Sequence, residues 1–160
     1  MSQKELAKWL KVIVIIIAIL SCLVFTVFVS SSIEIVVNDD PVFIPIIIPF
    51  KIYVWISAIP FYYALVLVWK ICTDIGNDDS YSLGNIFRLK VISYLSVAEC
   101  IYYAFFPIFM LVVFNAAQPG FMIIIFTIMI VCLAFGFLSA LLSRLAQKAH
   151  DYKTDSEVVI

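Results

Sequence analysis

Charge is scarce in this chain of 160 residues: Asp, Glu, Lys and Arg make up 13% of it, and there is one histidine. Soluble domains carry about 25% charged residues and about 45–50% apolar ones. Here 65% of the residues are hydrophobic, more than a water-soluble fold of this length can hide, whereas lipid can cover them. The near-zero net charge of −1, with basic residues only at the edges of apolar runs, leaves no basic patch with interleaved aromatics and argues against direct nucleic-acid binding. Catalytic signatures are missing too. There is no HExxH, no GxSxG, no Walker loop and no intramembrane aspartate pair, and His150 has no partner motif. No catalytic, cofactor-binding or metal-binding residue is expected, and the chain reads as non-enzymatic. The cysteines Cys22, Cys72, Cys100 and Cys132 have no CxxC spacing and none lies in an expected external segment, so they imply packing rather than a disulfide framework.

What is present is four long apolar runs. A bilayer needs about 20 apolar residues per helix, and helices are expected over about 9–31, 50–72, 88–114 and 121–143. The expected fold is all-α: an integral membrane four-helix bundle forming one transmembrane domain over 1–160, with 144–160 as a cytoplasmic helical extension and tail. The first run stays uncharged over 12–33 and continues apolar past Cys22, so it reads as a span rather than a cleaved signal. Lys4, Lys8, Lys11, Lys70, Arg88, Lys90, Arg144, Lys148 and Lys153 all fall on one side of such a membrane, and only Lys51 falls on the other. Basic residues are retained in the cytoplasm, so both termini are expected there. Trp9, Trp55 and Trp69 fit the interfaces.

Outside, Glu34, Asp39 and Asp40 lead into a proline-rich stretch, 41–49, too short to span and resistant to regular helix. It reads as an interfacial or partly re-entrant segment resting on lipid, with an external ligand surface as the sharper alternative. Pro60 is expected to kink the second helix. The loop 73–85 lacks the EF-hand spacing and reads as a solvated turn.

Helices associate in lipid largely through small residues that allow close approach. Such residues recur four apart at Ala18, Cys22, Thr26 and Ser30, at Ser96, Cys100 and Ala104, and at Cys132, Gly136 and Ala140, with Ser139 and Ser143 nearby. The first, third and fourth helices are therefore expected to form the close-packed centre, with the aromatic-rich second helix peripheral. Glu99 is the one ionisable acid or base deep in an expected span, about 13 Å below the inner interface at ~1.5 Å per residue. A charge at mid-membrane costs about 3 kcal/mol on insertion scales. At matching depth lie Ser21, Tyr62 or Tyr63, and Ser139, while Ser96 and Tyr103 flank Glu99 on its own face. This is the candidate intramembrane polar site. It reads either as a proton- or cation-responsive group or as a packing glutamate, and the lack of a second acid, His or Lys favours packing.

The step Ser80-Tyr81-Ser82-Leu83-Gly84-Asn85 followed by Leu89 and Ile92, and the end Asp155-Ser156-Glu157-Val158-Val159-Ile160, resemble the YoaS-like family of small bacterial four-helix membrane proteins of unknown function. At the end, Ser156 and Val159 stand where family members commonly carry Asn and Thr. The resemblance implies neighbouring helix-turn-helix regulators, hence a membrane partner for a transcription factor, and no catalytic residue. The leading expectation is a multi-pass cell-membrane regulator or anchor that engages a cytoplasmic protein through 144–160 and 73–85, with the lipid bilayer as its other partner. One alternative is an immunity protein that intercepts a membrane-active peptide at 34–49. Another is a small proton- or cation-coupled permease using Glu99, which four helices without an inverted repeat allow only as a homo-oligomer.

Overall fold

The computed structural model describes residues 2–39, 44–114 and 119–158. It contains four helices: α1 (Gln3–Asp39), α2 (Ile44–Gly76), α3 (Leu83–Phe114) and α4 (Pro119–Val158). Each includes a stretch long and apolar enough to cross a membrane: Gln3–Val27, Lys51–Gly76, Leu83–Phe109 and Met122–Asp155. The helices run past the apolar runs that predict them because local polar groups cap them. Ser2 and Glu5 form a capping box at the start of α1. The Glu5 N–H donates to Ser2 Oγ at 3.2 Å and the Ser2 N–H to Glu5 Oε2 at 3.0 Å, satisfying two otherwise orphaned donors.

The end of α2 is closed by a Schellman pair. The Asp79 N–H donates to the Asp74 carbonyl at 3.0 Å and the Asp78 N–H to the Ile75 carbonyl at 3.2 Å. Asp78 takes the left-handed conformation that such a cap requires, at φ 63°. Ser82 then caps α3 by accepting the Asn85 N–H at 3.3 Å.

The proline-rich stretch departs from expectation. From Ile44 onward it is regular helix, with Pro49 and Pro60 inside α2. Near a helix start the first four N–H groups have no intrahelical partner, so Pro45 loses nothing there, and Pro49 removes one hydrogen bond only. Residues 40–43, the connection 115–118 and the end 159–160 lie outside the described residues, as do the side chains of Ser30, Glu34 and Asp39.

Packing departs further. The helices contact one another in chain order, α1 with α2, α2 with α3, and α3 with α4. Among the described residues no Cα of α1 comes within 8 Å of one in α3 or α4, nor any of α2 within 8 Å of α4. The four helices thus form an open antiparallel row rather than a bundle centred on α1, α3 and α4, and α2 is interior to that row rather than peripheral. Aromatic rings achieve this. Phe25 of α1 meets Phe61 edge-on at 6.1 Å and Tyr62 at 6.4 Å, and Tyr53 of α2 stacks on Tyr102 of α3 at 4.1 Å and 11°.

The small-residue stripe of α1 turns away from the seam, where Cys22 and Thr26 are exposed. A strict four-residue spacing drifts around a 3.6-residue helix, whereas α1 packs through Ala7, Val14, Ala18, Ser21 and Phe25 at three and four. Only 6% of the most apolar window of α1 is buried by protein, so lipid must cover the rest.

Small residues do close the α3–α4 seam. Cys132, Gly136, Ser139, Ser143 and Ala146 line up on α4 at three- and four-residue intervals, with Ile125 one heptad before them. A Cβ at Gly136 would stand 3.2 Å from Ser96 Cβ, so this glycine sets the approach of the two helices. Ser93 Oγ donates to the Gly136 carbonyl at 2.8 Å, and Ser143 Oγ to the Ile86 carbonyl at 3.1 Å. Cys100 lies buried on the α3 side, while Ala104 and Ala140 are half-buried.

Candidate functional site

Glu99 is half-buried on α3, where α2 and α4 approach it. It lies within electrostatic reach of Tyr53, Tyr102, Tyr103 and Cys132. The tyrosine hydroxyls have other partners. Tyr53 donates to the Tyr102 carbonyl, and Tyr102 returns a bond to the Tyr53 carbonyl at 2.9 Å. Tyr103 and Ser57 share a 2.7 Å hydroxyl–hydroxyl bond, and Ser57 also bonds the Val54 carbonyl at 3.0 Å. Glu99 itself makes no hydrogen bond among the described residues. The arrangement is an interlock of α2 on α3 with a carboxyl group beside it, not a continuous donor–acceptor chain.

Of the residues placed at the depth of Glu99, Tyr103 is brought to it. Ser21 instead bonds Tyr62 at 3.4 Å, within the α1–α2 seam. Tyr63 is exposed at 53%, facing away from the packed helices. Ser96 Oγ bonds its own helix at the Ile92 carbonyl, 3.0 Å away. Ser139 is buried in the α3–α4 seam. Tyr53, Tyr102 and Ser57 were invisible to a search by depth alone, because their partners are main-chain carbonyls. The signal that could have found them is the aromatic pair Tyr102-Tyr103 beside a lone acid.

A second polar cluster organises the turn between α2 and α3. Asn85 is 1% exposed. Its amide donates to the Asp79 and Ser80 carbonyls at 3.2 and 3.4 Å, and its Oδ1 accepts from Arg88 at 2.7 Å. Arg88 is also ion-paired to Asp74 across the turn. The Asn85 of the Ser80-to-Asn85 step is thus the residue that holds the turn closed. Within the loop 73–85 this knot ties a turn that is still solvated, with Asn77, Asp78, Asp79 and Tyr81 exposed.

At the same end of the molecule, Lys4, Lys8 and Lys11 of α1 face Thr73, Gly76 and Asn77 of α2 across a cleft of about 310 Å³. Lys11 Nζ sits 5.3 Å from the centre of the Trp69 ring. Among the described residues no three of His, Cys, Asp and Glu come together as a metal site would require. The four cysteines are free thiols, with Cys72 and Cys100 buried.

Residues 32–160 match the family model described as a protein of unknown function, DUF2975. The chain belongs to this family. It is also 30% identical over 110 residues to the uncharacterized membrane protein YoaS of Bacillus subtilis (strain 168), covering 68% of this chain and 69% of that protein. No solved structure matches. The family membership and the four helices able to span make this a multi-pass membrane protein of the YoaS-like kind, in contact with the lipid bilayer.

Proposed function

We propose that the protein is a non-enzymatic membrane anchor or regulator that holds a cytoplasmic protein through the far end of α4, with both termini in the cytoplasm. The observation that carries this reading is the length of α4. Its 40 residues extend about 60 Å at 1.5 Å per residue, twice the roughly 30 Å hydrocarbon core. The pairing of Ser143 with Ile86 marks where α3 stops keeping it company: α3 begins at Leu83, and Ala146 is the last fully buried residue of α4 among those described. Beyond it the chain continues as helix to Val158, through the half-buried Ala149 and His150 and the exposed residues Gln147, Lys148, Asp151, Tyr152 and Thr154. A largely exposed helix end is stabilised poorly by propensity alone, and a partner surface would complete it. The family resemblance favours a helix-turn-helix transcription factor as that partner.

The orientation rests on the same geometry. Antiparallel packing gathers the start of α1, the α2–α3 turn and the late part of α4 at one end, and with them nearly all the basic residues.

The test is an in-membrane crosslinking pulldown that compares the full chain with one ending at Ser143, at matched membrane levels. Recovery of a soluble DNA-binding protein by the full chain alone supports the reading. Identical recoveries from both would sink it.

A further inference from the structure

We infer that the cleft between the start of α1 and the end of α2 is a binding site for a phosphate-bearing anion, presented by the head group of an anionic glycerophospholipid. Lys4, Lys8 and Lys11 are spaced at four and three residues, which puts all three on one face of α1, and that face is the wall of the cleft. None of the three has an ion-pair partner among the described residues, and no carboxylate lines the cleft. The opposite wall adds hydrogen-bonding groups rather than charge, from Thr73 and Asn77.

Two plainer roles for the lysines are each too small. Neutralising the end of the α2 helix dipole calls for about half a charge, and three are present. Snorkelling to water needs no cleft, and Lys11 is instead held over Trp69. The cleft exists because α1 and α2 meet at Gly76, where a Cβ would stand 3.0 Å from Ala7 Cβ, so the helices touch there and leave the space above open. Its volume of about 310 Å³ lies at the lower limit of ligand pockets, room for a phosphate-sized head group. Trp69 and the lysines mark the membrane edge, where a lipid phosphate already sits, so the lipid rather than a soluble phosphate is the occupant assigned.

The experiment uses the full chain in nanodiscs of mixed phosphatidylglycerol and phosphatidylcholine, followed by native mass spectrometry of the lipid retained. The wild type is expected to retain phosphatidylglycerol selectively. The K4Q/K8Q/K11Q variant is expected to lose roughly a hundredfold in that preference, from about fivefold per lysine near an anionic surface. Since removing lysines can alter insertion, Asn77→Trp is the second variant: it fills the cleft, keeps every charge, and is expected to lose the preference as well. A K90Q/K148Q variant, basic residues outside the cleft, is expected to keep it. Equal retention of the two lipids by the wild type overturns the proposal. So does an Asn77→Trp variant that binds like wild type, because the lysines would then act only as diffuse surface charge. Displacement of the bound lipid by millimolar inorganic phosphate overturns the lipid assignment and gives the cleft to a soluble phosphate compound.

Discussion

Gly136 and Ser143 lie two turns apart on one seam and have opposite mechanical roles. Gly136 supplies nothing but room, with Ser96 Cβ 3.2 Å from where its own Cβ would be. Ser143 supplies a hydrogen bond to a carbonyl that α3 already satisfies internally. Gly136→Val should therefore overpack the seam and cost about 1–3 kcal/mol. Ser143→Ala should cost only about 0.6 kcal/mol, the usual worth of such bonds between membrane helices. Thermal unfolding midpoints in detergent check the order, and a larger loss for Ser143→Ala would contradict it.

Asp78 offers the reverse experiment. It holds a left-handed conformation at the cap of α2 that glycine adopts without strain. Asp78→Gly should stabilise the protein by up to about 1 kcal/mol, read from the same midpoint. Glu99→Gln keeps shape and hydrogen-bonding capacity while removing the charge that lipid depth penalises. With the nearby tyrosine hydroxyls already paired, the variant should be no less stable than the wild type, and the phenotype should be unchanged. A growth or transport defect in a well-folded Glu99→Gln protein would revive the permease reading.

At the scale of the element, the number and type of the helices were legible in the sequence because lipid imposes one rule, that every backbone group be satisfied within the segment. Their partners were not. Spacings of four marked Cys22 and Thr26 as readily as Cys132 and Gly136, yet only the second pair lies in a seam. What decides is whether the facing helix also offers small residues, as α3 does with Ser93, Ser96 and Cys100. The α2 helix offers α1 rings instead, at Phe61 and Tyr62. The proline-rich stretch misled for a related reason: proline forbids little in the first turn of a helix, where Pro45 lies, and Pro49 in the next turn costs a single hydrogen bond. The Glu99 site was legible as a lone deep acid, but its tyrosine surroundings were not, since ring stacking and carbonyl partners leave no spacing signature.

The same element view yields a prediction about α4. Because Ala146 alone among the described residues is fully buried beyond Ser143, a chain ending at Ser143 should unfold within a few degrees of the full chain, a loss of roughly 1 kcal/mol or less. A much larger drop would mean that the end of α4 braces the fold instead of serving a partner.

At the scale of the whole molecule, an open row of helices makes orientation matter more than it would in a closed bundle. Its two ends differ in charge, and its flat faces are given over to lipid. The end that gathers the start of α1, the α2–α3 turn and the late part of α4 carries the lysine cleft, the Asn85 knot and the α4 arm. Lys51, at the start of the second spanning stretch, is the exception at the other end. In the orientation we propose, with basic residues retained inside, the cleft, the knot and the arm lie together in the cytoplasm. In a variant with Cys22, Cys72, Cys100 and Cys132 replaced by serine, single cysteines test this in intact cells with a membrane-impermeant maleimide. A cysteine at Lys51 should label from outside, and cysteines at Asn77 and Thr154 only after the membrane is opened. If the Thr154 position labelled in intact cells while Asn77 did not, α4 would not return to the side of the α2–α3 turn, and the arm could not meet a cytoplasmic partner. If both labelled, the row would be inserted the other way up, and the polar end would face the outside of the cell, where an extracellular ligand would become the natural occupant of the arm.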